Sequence, residues 1–140
     1  MLLIHSPQPW IEVNRTNDRY FEGNLENWRA MEEAVKAGKV RSIGVSNFLQ
    51  KDVANIVNNG TIKPAVNQIE VHIGHVPTDL MKYCENLGIQ IEAHSPLAHG
   101  RLLKDRKINA YAKKYNVSPA QLMLAFDLQL GCIVYQRAIM

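Results

Sequence analysis

Short runs of β-branched and apolar residues alternate along this chain with longer stretches whose apolar residues recur every three or four positions. The short runs fall at residues 1–4, 41–45, 64–71, 89–94 and 132–135, and their length and composition predict five strands. Helical spacing appears at Leu25, Trp28, Met31 and Val35, at Val53, Ile56 and Val57, and at Leu80, Met81, Cys84 and Leu87. It returns at Ile108 with Tyr111 or Ala112, and again at Leu122, Met123, Phe126 and Leu130. Local signals bound these helices. Asn24 is placed to cap the first and Gly38 to stop it, Thr78 caps the third and Gly88 closes it, and Gly131 ends the last. Ser118-Pro119-Ala120-Gln121 joins a capping serine, a proline at the first helical position and a glutamine where a capping box needs one. Strands separated by helices predict a parallel sheet with no second domain over residues 1–140. The connection at 6–24 is polar, broken by Pro7, Pro9 and Gly23. It is far longer than the ~2–6 residues usual between a strand and a helix, which marks it as a binding loop.

Four of the runs stop at an imidazole or an uncharged polar group. Leu2-Leu3-Ile4 leads to His5, residues 42–45 lead to Ser46-Asn47, Ala65-Val66-Asn67 leads to Gln68, and residues 89–93 lead to His94-Ser95. In a barrel of parallel strands the carboxyl ends all open onto one face, where the active site lies. The regularity therefore predicts one site built from residues distant in sequence.

The 140 residues are 46% hydrophobic and 21% charged with a formal charge of +3, the balance of a globular protein. The densest basic stretch, Arg101 to Lys114, is interrupted by Asp105 and reads as a solvated helix face, so no nucleic-acid partner is expected. No apolar run approaches the ~20 residues of a membrane helix, so no membrane partner is expected either. Cys84 and Cys132 lack metal or redox spacing and read as unpaired thiols of a reducing, cytoplasmic compartment.

Ser46, Asn47 and Gln68 can each donate and accept hydrogen bonds, which suits a ligand carboxamide such as that of a nicotinamide ring. Singly, each also suits the capping of a helix or the satisfaction of a strand end. His72 and His75 lie three apart with Glu70 nearby, and their loop placement favours no metal. Trp10 either lines a substrate pocket or pins the long loop.

Five pieces, in order, resemble the aldo-keto reductase family: Leu3-Ile4-His5-Ser6-Pro7, Trp28-Arg29-Ala30-Met31-Glu32, residues 38–48 ending in Gly44-Val45-Ser46-Asn47-Phe48, Pro64-Ala65-Val66-Asn67-Gln68-Ile69-Glu70, and Ser95-Pro96-Leu97. The general style is similar to bacterial diketogluconate reductases. The resemblance implies an α/β fold, a (β/α)8 TIM barrel of which this chain holds about five of the eight βα units. It implies reduction of small aldehydes, ketones or keto-sugars with NADPH. By position it makes His5 the catalytic histidine that hydrogen-bonds the substrate carbonyl, and it gives Ser46, Asn47 and Gln68 the nicotinamide carboxamide. His94 falls where the family stacks an aromatic ring on the nicotinamide, Ser95 and Leu97 lie along the pyrophosphate, and Arg137 stands where a lysine meets the 2′-phosphate. Arginine's fork also matches phosphate. Ser6 replaces a tryptophan common at that position and, with Trp10, would shape the substrate pocket.

The family's proton donor is a tyrosine tuned by a lysine and an aspartate, all drawn from the region before His5. Of the tyrosines present, Tyr20 in the long loop is the one candidate replacement. The resemblance therefore implies a carboxyl-terminal portion inactive by itself, with a noncatalytic NADP(H)-binding subunit or a truncated, nonfunctional product as the alternatives. Five parallel strands also leave two open edges that invite self-association.

Overall fold

The computed structural model describes residues 1–135. Among them, five strands form a single parallel sheet in sequence order: β1 (Leu2–Ile4), β2 (Ile43–Ser46), β3 (Val66–Glu70), β4 (Gln90–His94) and β5 (Ile133–Val134). The connections carry α1 (Phe21–Lys36), α2 (Gln50–Asn59), α3 (Thr78–Asn86), α4 (Arg106–Lys114) and α5 (Pro119–Gln129). A kinked 3₁₀ segment, Ala98–Lys104, precedes α4.

The main apolar core fills the space between the sheet and its helices. Ile43 and Val45 of β2, Ile69 of β3, and Ile91 and Ala93 of β4 meet Trp28, Met31, Val53, Ile56 and Cys84 from α1, α2 and α3. Parallel strands expose the same helix-facing side at every second residue, so one alternating row serves the core and the other is left for the opposite face. Gly44, on the opposite row, lies where β1 and β3 come close. A Cβ there would stand 2.8 Å from Leu3 Cδ2 and 2.9 Å from the Val66 carbonyl oxygen. A second, smaller core joins Ala98, Ile108 and Met123, with Leu97, Leu102 and Ile73 packed against it.

Three local expectations change in the folded chain. Helix α1 begins at Phe21, not after Asn24, because Tyr20 takes a left-handed conformation (φ 50°) that turns the chain into the helix. Asn24 lies inside α1 and is buried, its amide donating to the carbonyls of Pro7 (2.8 Å) and Arg19 (3.1 Å), so it ties the long loop down instead of capping. Thr78 is the first residue of α3, with Pro77 in the cap position. In α5, Met123 is buried and Asp127 takes an inward position that the apolar spacing did not assign it, while Leu130, just past the helix end, is exposed. The Ser118–Gln121 capping box holds as read, and Asp105 caps α4 by accepting from the N–H groups of Lys107 and Ile108.

The loop at 6–24 is built around buried polar groups. The Arg19 guanidinium pairs with Asp52 of α2 and donates to Gln8 Oε1 at 2.7 Å, and Asp52 also accepts from the Leu49 N–H. Gln8 in turn donates to Thr16 Oγ1 at 2.9 Å. A buried ion pair is retained only when its remaining hydrogen-bonding capacity is met, as it is here. Glu32 on α1 closes a second junction by accepting from the N–H groups of Thr61 (2.6 Å) and Ile62 (2.7 Å). Burial alone would raise its pKa, but the two N–H donors outweigh that and hold the carboxyl below its ordinary value.

Candidate active site

The parallel register sets the level of each strand end. Ile4 stands beside Val45, Ser46 beside Gln68, Gln68 beside Glu92, and Glu70 beside His94. His5, Ser46, Gln68 and Glu92 therefore share one level across the sheet, with Glu70 and His94 one step nearer the carboxyl rim. All lie on the row facing away from the main core.

Hydrogen bonds join these groups. Ser46 Oγ donates to the Gln68 carbonyl oxygen at 2.9 Å. Asn47 Nδ2 donates to the His5 carbonyl oxygen at 3.0 Å and to Ser46 Oγ at 3.1 Å. His94 Nε2 lies 3.3 Å from Asn47 Oδ1, and His94 Nδ1 lies 3.1 Å from Ser95 Oγ. Gln68 Nε2 donates to Glu92 Oε1 at 2.8 Å. Asn47 (φ 60°) and Ser95 (φ 53°) both hold left-handed backbone at strand ends. Asparagine tolerates that region and serine less so, and strain of this kind gathers at ligand-handling sites.

Burial pulls the His94 imidazole below its ordinary pKa, with His99, His5 and His75 adding to the effect and Glu70 opposing it. Burial therefore favours the neutral ring. The His5 ring is exposed and stacks on Trp10, with centroids 5.3 Å apart and planes 15° from parallel.

Ser46, Asn47, His94 and Ser95 thus meet through their side chains, while His5 and Gln68 join them through their carbonyl oxygens. Trp10 is 65% exposed and reaches the rim through the His5 ring. Ser6 turns into the loop, donating to the Gln8 carbonyl oxygen at 2.6 Å. Leu97 packs against the second core. Arg137 lies outside the described residues. Tyr20 donates its hydroxyl to Glu12 at 2.9 Å, a bond that holds the phenol above its ordinary pKa. His72 Nε2 stands 3.4 Å from Glu70 Oε1, and among the described residues no three histidine, cysteine or acidic side chains are grouped to hold a metal ion.

Two site features were not read from the sequence. Glu92 and Glu70 carry charge onto the polar row. The available signal was a glutamate alternating with Ile91 and Ala93 inside a parallel strand, where runs buried on both faces are near-continuously apolar. Asn67, by contrast, points toward the helices. Its amide donates to the Phe48 carbonyl oxygen at 2.9 Å, and its own oxygen is buried with no partner among the described residues.

The chain matches the aldo/keto reductase family over residues 1–136. It belongs to that family. It is 42% identical over 114 residues to the glyoxal reductase of Bacillus subtilis (strain 168), an alignment covering 81% of this chain and 41% of the relative. It is 36% identical over 119 residues to the aldehyde reductase YPR1 of Saccharomyces cerevisiae, covering 82% of this chain and 38% of that one. A mutant of Gox0644 solved in complex with NADPH superposes with a TM-score of 0.84 at 36% identity, covering 99% of this chain and 48% of its own. The chain spans about two fifths of the length of these curated relatives. Its parallel sheet is an incomplete (β/α)8 barrel.

Proposed function

We propose that this chain forms the nicotinamide-holding part of an NADPH-dependent carbonyl reductase acting on small aldehydes, ketones or keto-sugars. The observation that carries this reading is the convergence of His5, Ser46, Asn47, Gln68 and His94 on one open rim. The donor set fits a carboxamide. Gln68 keeps its Oε1 and one Nε2 hydrogen without a partner among the described residues, so it can accept from and donate to an amide. Beside it, Ser46, which is buried, and Asn47 are held in fixed orientations by the rim's own bonds, their oxygens retaining lone pairs to accept with.

Hydride delivery to a carbonyl carbon is the chemistry the bound cofactor supplies. The chain's own residues do the rest of the work assigned to them. With the cofactor bound, His94 would give the ring a flat neighbour, Ser95 and Leu97 would border the pyrophosphate, and Arg137, which lies outside the described residues, would meet the 2′-phosphate. The His5 ring would offer a donor to the carbonyl oxygen as it gains negative charge, the kind of preorganised stabilisation that lowers a barrier most. Trp10, stacked on His5, and Ser6 shape the substrate side. Cys84 and Cys132, both unpaired and buried, support a reducing cytoplasmic setting. Exposed Leu2 on β1 and Ile133 on β5 support self-association through the sheet edges.

Two assays test the proposal. Fluorescence titration of this chain with NADPH is expected to saturate. The full-length protein carrying this segment is expected to consume NADPH with glyoxal, methylglyoxal or a keto-sugar. Saturable binding without turnover would make the protein a noncatalytic binder, and absence of both would end the reading.

A further inference from the structure

Between Ser95 and the Gln68 carbonyl, the hydrogen bonds form one directed chain. Ser46 Oγ donates to the Gln68 carbonyl oxygen, so its own lone pairs are what Asn47 Nδ2 meets. That fixes the nitrogen of the Asn47 amide toward Ser46 and the His5 carbonyl, and its oxygen toward His94. Facing an acceptor at 3.3 Å, His94 Nε2 has to carry the proton, which leaves Nδ1 bare to accept from Ser95 Oγ at 3.1 Å. Every group has one role, and reversing any one of them sets two acceptors or two donors against each other.

We propose that His94, held as its Nε2–H tautomer by Ser95, is a positioning residue that, together with Ser46 and the His5 carbonyl, holds the Asn47 side-chain amide and with it the donor and acceptor pattern offered at Ser46, Asn47 and Gln68. The inference rests on the proposed carboxamide site only for its consequence for binding. The wiring itself stands on the distances. Burial favours the neutral ring, the form in which a single tautomer is chemically meaningful. A phenyl ring in the same place could stack but could not orient Asn47, whereas glutamine could donate an N–H to Asn47 Oδ1 without stacking.

Nitrogen-15 NMR of the imidazole ring in the chain without cofactor tests the wiring directly. The Nε2–H tautomer is expected at pH 7.5, with the Asn47 side-chain amide shifting in His94→Phe and returning toward its original position in His94→Gln. A dominant Nδ1–H tautomer, or an Asn47 amide unmoved by His94→Phe, would overturn the proposal. NADPH titration then reads the consequence. His94→Phe is expected to weaken binding about tenfold, the worth of one hydrogen bond, with His94→Gln recovering most of the loss. Equal loss in both variants would overturn the positioning role and leave a stacking one. If NADPH fails to bind even the unaltered chain, the functional reading falls while the tautomer and the Asn47 shift still judge the wiring.

Discussion

Ile43, Val45, Ile69, Ile91 and Ala93 share their strands with Gly44, Ser46, Gln68, Glu92 and His94, yet the two rows do opposite work. The first row is packed under three helices and contains aliphatic groups that need only an apolar partner of the right size. The second carries an amide, a hydroxyl, an imidazole and carboxylates, and bonds part of their capacity neighbour to neighbour along the rim. Burial of apolar surface stabilises a fold, whereas a row of polar groups on the inner side of a sheet adds little and costs desolvation unless each is paired. One face thus holds the chain together, and the other keeps directed donors and acceptors available. Asn67 shows the cost of mixing the two. It sits on the helix side with its oxygen unpartnered among the described residues.

Substitution on each face sharpens this contrast. Trp28 is fully buried and its indole N–H donates to the Ile62 carbonyl oxygen at 2.9 Å. Trp28→Ala is expected to lower the free energy of unfolding by about 3–5 kcal/mol, read as a lower denaturant midpoint. Gln68→Ala on the rim is expected to change it by less than about 1 kcal/mol while weakening NADPH binding. Equal losses of stability at both positions would remove the distinction.

Asp127 offers the next largest effect, because it is a polar group in the wrong place for a core. It is fully buried with both carboxylate oxygens unpartnered among the described residues, and burial pushes its pKa from 3.8 up to about 6, with His72 opposing. The folded chain therefore holds this proton more tightly than the unfolded chain does. Its contribution is full below about pH 4 and is lost as pH rises through about 6, a loss of about 3 kcal/mol. Asp127→Asn cannot titrate, so its stability relative to the parent is expected to climb across that interval and level off above it. Denaturant unfolding at a series of pH values measures this, and a pH-independent difference between the two proteins would contradict it.

Much of the architecture was legible because its signals are local. The strands follow apolar runs, α4 and α5 follow Asp105 and the Ser118–Gln121 box, and the site residues fall where runs end. What escaped depends on partners far along the chain. Asn24 looks like a cap until Pro7 and Arg19 claim its amide, and nothing near Arg19 announces Asp52, 33 residues on. Asp127 lies beside Phe126, and apolar spacing alone could not show that the aspartate turns inward. At the rim, the strand-end positions of His94 and Asn47 were readable. The bond between their side chains was not, because it depends on a left-handed turn at Asn47 that brings groups 47 residues apart together.

The most direct test of the two-faced sheet is a two-dimensional nitrogen–proton NMR titration of this chain with NADPH. The side-chain amides of Asn47 and Gln68 and the His94 ring should shift together and saturate, while the Trp28 indole N–H, bonded to Ile62 behind the sheet, stays where it is. Shifts that gather at Trp28 and leave Asn47 and Gln68 untouched would contradict the account.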